Sequence, residues 1–148
     1  MSKLVYDQSE YIARYVSFGL GLSPEEMLKG YSFAIIHQNK IVGGVVFSDY
    51  QLNDTAWISI YTTDKHWCSK ICLKQIFGIA FNVLKCRRLN ALIRPDNHAS
   101  ISLATRCGFV LEGKMRQYFS DDQDALVLGM LVKECKFINH QSTGEKNV

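Results

Sequence analysis

No run of apolar residues in this 148-residue sequence approaches the roughly 20 that a membrane-spanning helix requires. The opening stretch MSKLVYDQSEY has no apolar core of the kind a secretory leader carries, which sets the expectation of a cytoplasmic protein. Internal repeats, low-complexity blocks and linker-like stretches are missing, so disordered, collagen-like and coiled-coil chains are excluded as whole-chain descriptions. Neither a phosphate loop ending Gly-Lys-Ser/Thr nor a Gly-x-Gly-x-x-Gly turn occurs, so the backbone signatures for nucleoside triphosphates and dinucleotides are lacking. Five cysteines (Cys68, Cys72, Cys86, Cys107, Cys135) form an odd, irregularly spaced set. No second ligand pair follows His66, Cys68 and Cys72 at zinc-finger or ribbon spacing. Neither a disulfide framework nor a metal site is expected, and the thiols read as buried and inert.

Acidic residues are also scarce in one place. Residues 64–94 hold Asp64 as their single acid against Lys65, Lys70, Lys74, Lys85, Arg87, Arg88 and Arg94, a balance of +6 in a chain whose net charge is +3. The flanking segments balance at −2 and −1. Such a concentrated excess suits an anionic ligand, with a solvated basic helix face as the plainer alternative.

What is present fits one domain. A chain of this length buries roughly 68–70% of its unfolded surface on folding. Tyr11, Ile12, Tyr15 and Val16 follow Asp7-Gln8-Ser9-Glu10 at helical spacing, and Ser23-Pro24-Glu25-Glu26 reads as a capping box opening a short helix. Tyr31–His37 and Lys40–Asp49 read as strands joined by a tight turn at Gln38-Asn39, with Gly43-Gly44 marking a bulge or a close backbone approach. A third strand spans Thr55–Thr62, and a long helix is expected over roughly Trp67–Lys85. Leu89–Ile93 is a strand, His98–Arg106 a helix stopped by Gly108, and a terminal β pair follows from Phe109 to Val132. Residues 1–135 are expected to form the domain, with 136–148 a polar, flexible tail.

The run Asn97-His98-Ala99-Ser100-Ile101-Ser102-Leu103-Ala104-Thr105-Arg106-Cys107-Gly108-Phe109, continued by Glu112-Gly113 and Arg116, resembles the GNAT family of acetyl-CoA-dependent N-acetyltransferases. Asn97, Ser100, Leu103, Arg106, Gly108 and Phe109 match the family pattern, and the likeness covers about residues 4–133. It is similar in particular to the ribosomal-protein N-terminal acetyltransferase branch and to compact phage or prophage members. Two departures stand out. The family's pyrophosphate loop, Arg/Gln-x-x-Gly-x-Gly/Ala, aligns with Asp64, Trp67 and Ser69, and Ala104 stands where many members carry a tyrosine that protonates the leaving thiolate.

The resemblance implies a single-domain α/β (α+β) fold: a mixed, mostly antiparallel sheet flanked by helices and splayed at its central strands. It implies acetyl transfer from acetyl-CoA to a primary amine (a protein N-terminus, a lysine or a small amine), without a metal. Ile58, Ile60 and Tyr61 would meet the pantetheine arm, with an N–H near Ile60 or Tyr61 polarising the thioester carbonyl. Lys65, His66, Trp67, Cys68, Ser69 and Lys70 would form the pyrophosphate loop, Asn97 and Ser100 would contact the arm, and Arg106 would neutralise phosphate. Tyr61, Ser100 and Tyr118 are the catalytic candidates. Asp49, Asp64 and Glu112 are candidate bases from their position at strand ends, which often line such clefts. Tyr11–Gly30, Tyr50–Asp54 and Met115–Asp122 would line the acceptor groove. The residues also admit plainer roles: Asn97 as a helix cap, Ser100 as a first-turn residue, Trp57 and Trp67 as packing. A homodimer stays open. Two rivals remain: a GNAT-fold binding module without turnover, and a basic α/β protein meeting nucleic acid. Against the latter, the basic residues do not interleave with aromatics as a stacking platform requires.

Overall fold

The computed structural model describes residues 2–139. Its strands are β1 (Lys3–Asp7), β2 (Tyr31–His37), β3 (Lys40–Ser48), β4 (Thr55–Thr62), β5 (Arg88–Ile93), β6 (Val110–Ser120) and β7 (Gln123–Leu131). Its helices are α1 (Tyr11–Leu20), α2 (Glu25–Leu28), α3 (Lys70–Gly78) and α4 (His98–Cys107). The seven strands form one sheet in the order β1-β2-β3-β4-β5-β7-β6, antiparallel at every rung except the β4–β5 pair. No helix among the described residues is long and apolar enough to cross a membrane.

Local chemistry accounts for most of these elements. Gln38 and Asn39 take φ of 53° and 62°, the twist that a two-residue hairpin between right-twisted strands requires. Asp7 starts α1 from three residues away from its cap, its carboxylate accepting from Ile12 N–H at 3.2 Å and from Ser9 N–H at 2.8 Å. At α2 the expected capping box does not form: Pro24, which has no side-chain oxygen, takes the cap position. Both expected features occur here: the β2–β3 register shifts beside Gly43, where Ile35 pairs with Gly43 but Ile36 pairs with Ile41, and Gly44 marks a close approach. A Cβ there would lie 2.6 Å from Ile12 Cγ2 and 2.7 Å from Val16 Cγ2, so the missing side chain lets α1 seat on the sheet.

Two apolar layers result. On one face Ile12, Ala13 and Val16 of α1 bury against Ala34 and Val46. On the other, α3 residues Cys72, Leu73, Ile76 and Phe77 join Val45, Phe47, Ile58, Leu89 and Leu128 of the sheet and Phe109 beyond α4.

Three expectations require correction. β1 has no counterpart in the sequence pattern; it is an edge strand pairing with β2 from Lys3↔Ile36 to Asp7↔Ser32. The helix expected over Trp67–Lys85 is three pieces: a 3₁₀ turn at Lys65–Trp67, α3, and a π-helical turn at Ile79–Val83 closed by Leu84 N–H to the Ile79 carbonyl at 2.8 Å. Its apolar stripe continues through the change of winding, so periodicity alone does not reveal it. The chain after residue 135 is also packed at first. Phe137 stacks on Phe77 with centroids 6.2 Å apart, and Ile138 lies against the same core; residues 140–148 of the expected tail lie outside the described residues.

Candidate active site

β4 and β5 pair in parallel over three rungs only, Thr55↔Arg88, Ala56↔Leu89 and Trp57↔Asn90. Past Trp57, β4 continues against β3 alone, while β5 continues to Ile93 against β7 alone. The sheet therefore forks, and facing backbone edges of the two strands are left without a strand partner. Asn90 sits at the closed end of the fork. Its Nδ2 donates to the Ala56 carbonyl at 3.1 Å, and its Oδ1 accepts from Arg88 Nε at 2.7 Å. Arg88 in turn pairs with Glu112 at 2.7 Å.

Alternation along the antiparallel ladder decides which backbone groups line the fork. Thr63 N–H donates to the Val42 carbonyl at 2.8 Å, so the hydrogen-bonded pairs of β3 and β4 include Tyr61 with Gly44. The Tyr61 N–H thus points at β3. Ile58 and Ile60, out of step with those pairs, turn their N–H and C=O groups toward the β5 side, Ile58 at the last β4–β5 rung beside Asn90 and Ile60 in the open fork. Of the two expected carbonyl donors, Ile60 is the one so placed. The Tyr61 ring lies on the α1 face, edge-on to Tyr15 at 5.5 Å.

Both helices that follow the forked strands begin at the open end. At α3, Ser69 is the cap: its hydroxyl accepts from Cys72 N–H at 3.0 Å, and its carbonyl accepts from Leu73 N–H at 3.0 Å. That leaves Lys70 and Ile71 as first-turn N–H donors without an intrahelical acceptor, at the positive end of the helix dipole. Trp67, standing where the family pattern has glycine, is 8% exposed and built into the core, so its indole does not occupy the loop. What braces this loop comes from residues distant in the chain. Ser2, 1% exposed, donates its hydroxyl to the Trp67 carbonyl and lies 2.8 Å from Ser69 Oγ; Leu4 N–H donates to Gln75 Oε1 at 2.9 Å. Lys65 is exposed on the preceding 3₁₀ turn, which also contains the His66 backbone.

At α4, Asn97 does cap the helix, its Oδ1 accepting from Ser100 N–H at 3.2 Å, and this leaves its NH2 group as a donor. Ser100 is half-buried in the same turn. Arg106 is exposed on the last turn, and its charge reaches Cys68: burial pushes the Cys68 thiol up and the Arg106 guanidinium opposes that rise. The end of α4 therefore lies beside the loop that opens α3. Burial pushes Cys72 and Cys107 up to about 11 and also raises Cys86 and Cys135, so the thiols stay protonated near neutrality. Among the described residues no group of three His, Cys, Asp or Glu is arranged to hold a metal ion.

The remaining candidates divide by position. Asp49 follows β3 at the closed end, where Glu112 is already paired with Arg88. The Tyr50–Asp54 loop is there too, Tyr50 donating to the Leu84 carbonyl at 2.6 Å and Asp54 pairing with Arg87. These groups do not border the open end. Tyr118, Asp121 and Asp122 do: they lie at the β6–β7 turn, beyond the Ile93↔Leu126 rung. Arg94, at the end of β5, ties that turn to α1. Its guanidinium stands 4.0 Å over the Phe119 ring and donates to the Leu20 carbonyl at 2.9 Å.

A forked sheet with two helix N-termini at its open end has known counterparts. The family model for the acetyltransferase (GNAT) domain matches residues 5–110, and the chain belongs to that family of acyltransferases. Among solved structures it is similar to a GNAT family acetyltransferase from Elizabethkingia anophelis with acetyl-CoA bound: TM-score 0.71, 14% identity, 88% of this chain and 98% of that one. An IAA acetyltransferase from Bacillus cereus gives 0.70 at 16% identity over 89% and 100%. A mutant of the spermidine N-acetyltransferase SpeG from Vibrio cholerae gives 0.71 at 15% over 95% and 98%. At these identities the likeness is one of fold. A comparison with curated proteins by sequence found no match.

Proposed function

We propose that this protein transfers the acetyl group of acetyl-CoA to a primary amine. The fork carries the reading. The Ile58 and Ile60 edges offer backbone donors and acceptors to an amide-bearing arm lying between β4 and β5. The Lys70 and Ile71 N–H groups would hold the pyrophosphate, with Lys65, Lys70 and Arg106 supplying positive charge. The Asn97 NH2 group would donate to the arm. When bound, acetyl-CoA supplies an activated acyl group as a thioester.

In this reading the Ile60 N–H would donate to the acyl oxygen, where negative charge develops. The proton lost by the amine goes to water or to an open-end carboxylate, Asp64, Asp121 or Asp122. Ala104 offers no hydroxyl, and Ser100 and Tyr118 are the open-end hydroxyls that would take its place as proton donors. A free thiol has a pKa near 8.5, so a sulfur leaving group tolerates a weak donor.

The acceptor is proposed at the level of an amine: a protein N-terminus, a lysine or a small amine. The resemblance at Asn97–Phe109 favours the ribosomal-protein N-terminal branch, and two of the structural relatives above carry spermidine or IAA in their names. Incubating cell extract with the protein and isotopically labelled acetyl-CoA, followed by mass spectrometry, tests the reading. Label on amine nitrogen is expected. No label anywhere, with acetyl-CoA still bound, would instead support a binding module without turnover, the reading that Ala104 favours.

A further inference from the structure

Lys70 and Lys74 lie one turn apart on α3 and face a cleft of about 420 Å³ whose other lining residues are Lys136, Phe137, Ile138 and Asn139. Among the described residues no carboxylate lines this cleft. The far wall is fixed in place. Lys136 N–H donates to the Cys107 carbonyl at 3.1 Å, and the Phe137 ring stacks on Phe77 at 16° between planes.

The charge arrangement is unfavourable for the protein alone. Lys70 is the first residue of α3, where the helix dipole disfavours a cation, and no acidic residue stands in that turn. Lys74 repels it at i,i+4, and Lys136 brings a third ammonium to the same space. An anion seated between them would remove all three penalties at once.

We propose that this cleft is a phosphate subsite for the nucleotide end of the acyl carrier, and that Lys136–Asn139 belong to the cofactor site. The inference rests on the acetyl-CoA reading. CoA carries a phosphate on its ribose 3′-hydroxyl in addition to its pyrophosphate. The pyrophosphate donors, Lys70 and Ile71, are in the first turn of α3, and Lys74 lies one turn, about 5.4 Å, further along. The cleft therefore begins where the pyrophosphate site ends. Phe137 and Ile138 give it an apolar wall beside the three cations.

Calorimetric titration of the full chain with CoA and with 3′-dephospho-CoA, which differ by this one phosphate, tests the proposal. The unaltered chain should bind CoA about tenfold more tightly, a preference that shrinks as salt rises. Lys74→Gln and Lys136→Gln should each cut that preference about threefold or more while leaving the affinity for 3′-dephospho-CoA unchanged. Adenosine 3′,5′-bisphosphate should compete with CoA where inorganic phosphate at the same concentration does not. Equal affinity for the two ligands overturns the subsite, as does equal weakening of both by the substitutions or equal competition by inorganic phosphate. Failure of both ligands to bind is a separate result, which removes the acetyl-CoA reading and the subsite with it.

Discussion

The Asn90 side-chain amide donates to the Ala56 carbonyl at 3.1 Å, across the last part of the sheet where β4 and β5 still run together. Its other end receives Arg88 Nε at 2.7 Å, so one residue links both strands and an ion pair at the point where the fork begins.

Asn90→Leu removes both bonds and leaves the Arg88 Nε without its acceptor. It should cost about 1–2 kcal/mol of stability by denaturant titration. It should also weaken acetyl-CoA binding although Asn90 is not a contact in the open fork. Unchanged stability together with unchanged binding would show that the fork is held by the ladder alone.

Asp7 carries a carboxylate whose pKa is lowered. The Ser9 hydroxyl contributes most; burial, next in size, opposes it, and the Ser9 and Ile12 N–H groups add to the lowering. A carboxylate whose pKa falls on folding stabilises the protein above its unfolded value, about 3.9, and loses that contribution as pH falls through the folded value. Asp7→Ala should therefore lower stability by about 1 kcal/mol near neutrality, and the gap should close below about pH 4. Thermal melts of both proteins across pH 3–7 measure this.

Cys68 is half-buried, while Cys72, Cys86, Cys107 and Cys135 are buried with raised pKa values. Under native conditions Cys68 should react first with an aromatic disulfide reagent, and denaturant should release the other four. Because it lies in the loop before α3 and within reach of Arg106, acetyl-CoA should slow its modification. Uniform labelling of all five thiols in the folded protein would contradict the described burial.

Gly108 ends α4 at φ 121°, and a Cβ there would overlap the Glu134 carbonyl oxygen. Both strain and clash oppose a side chain. Gly108→Ala should cost about 2 kcal/mol or more, lowering the melting temperature by about 5 °C. A melt within about 1 °C of the parent would show that the 132–135 segment yields.

Much of the frame is legible from local chemistry. Thr55–Thr62, the Gln38-Asn39 turn and the α4 boundaries follow from alternation, turn chemistry, an Asn cap and a Gly stop, all encoded within a few residues. β1 is different: only Leu4 and Asp7 of its five residues are partly covered, so no period of two is visible, and its place depends on β2. The two helix starts of the candidate site were legible by residue type at Asn97, Ser69 and Lys70. It was not legible where geometry chooses among equals: whether Ile60 or Tyr61 turns its N–H into the fork is a matter of register. Nothing local to Ser2, Lys74 or Lys136 reports that distant segments bring them to the start of α3.

The central claim is that the forked sheet and the start of α3 hold acetyl-CoA. Calorimetric titration of acetyl-CoA into the full chain tests it most directly. One saturable site per chain, with a Kd below about 1 mM, is the expected result. No heat and no thermal stabilisation at about 1 mM acetyl-CoA would contradict it.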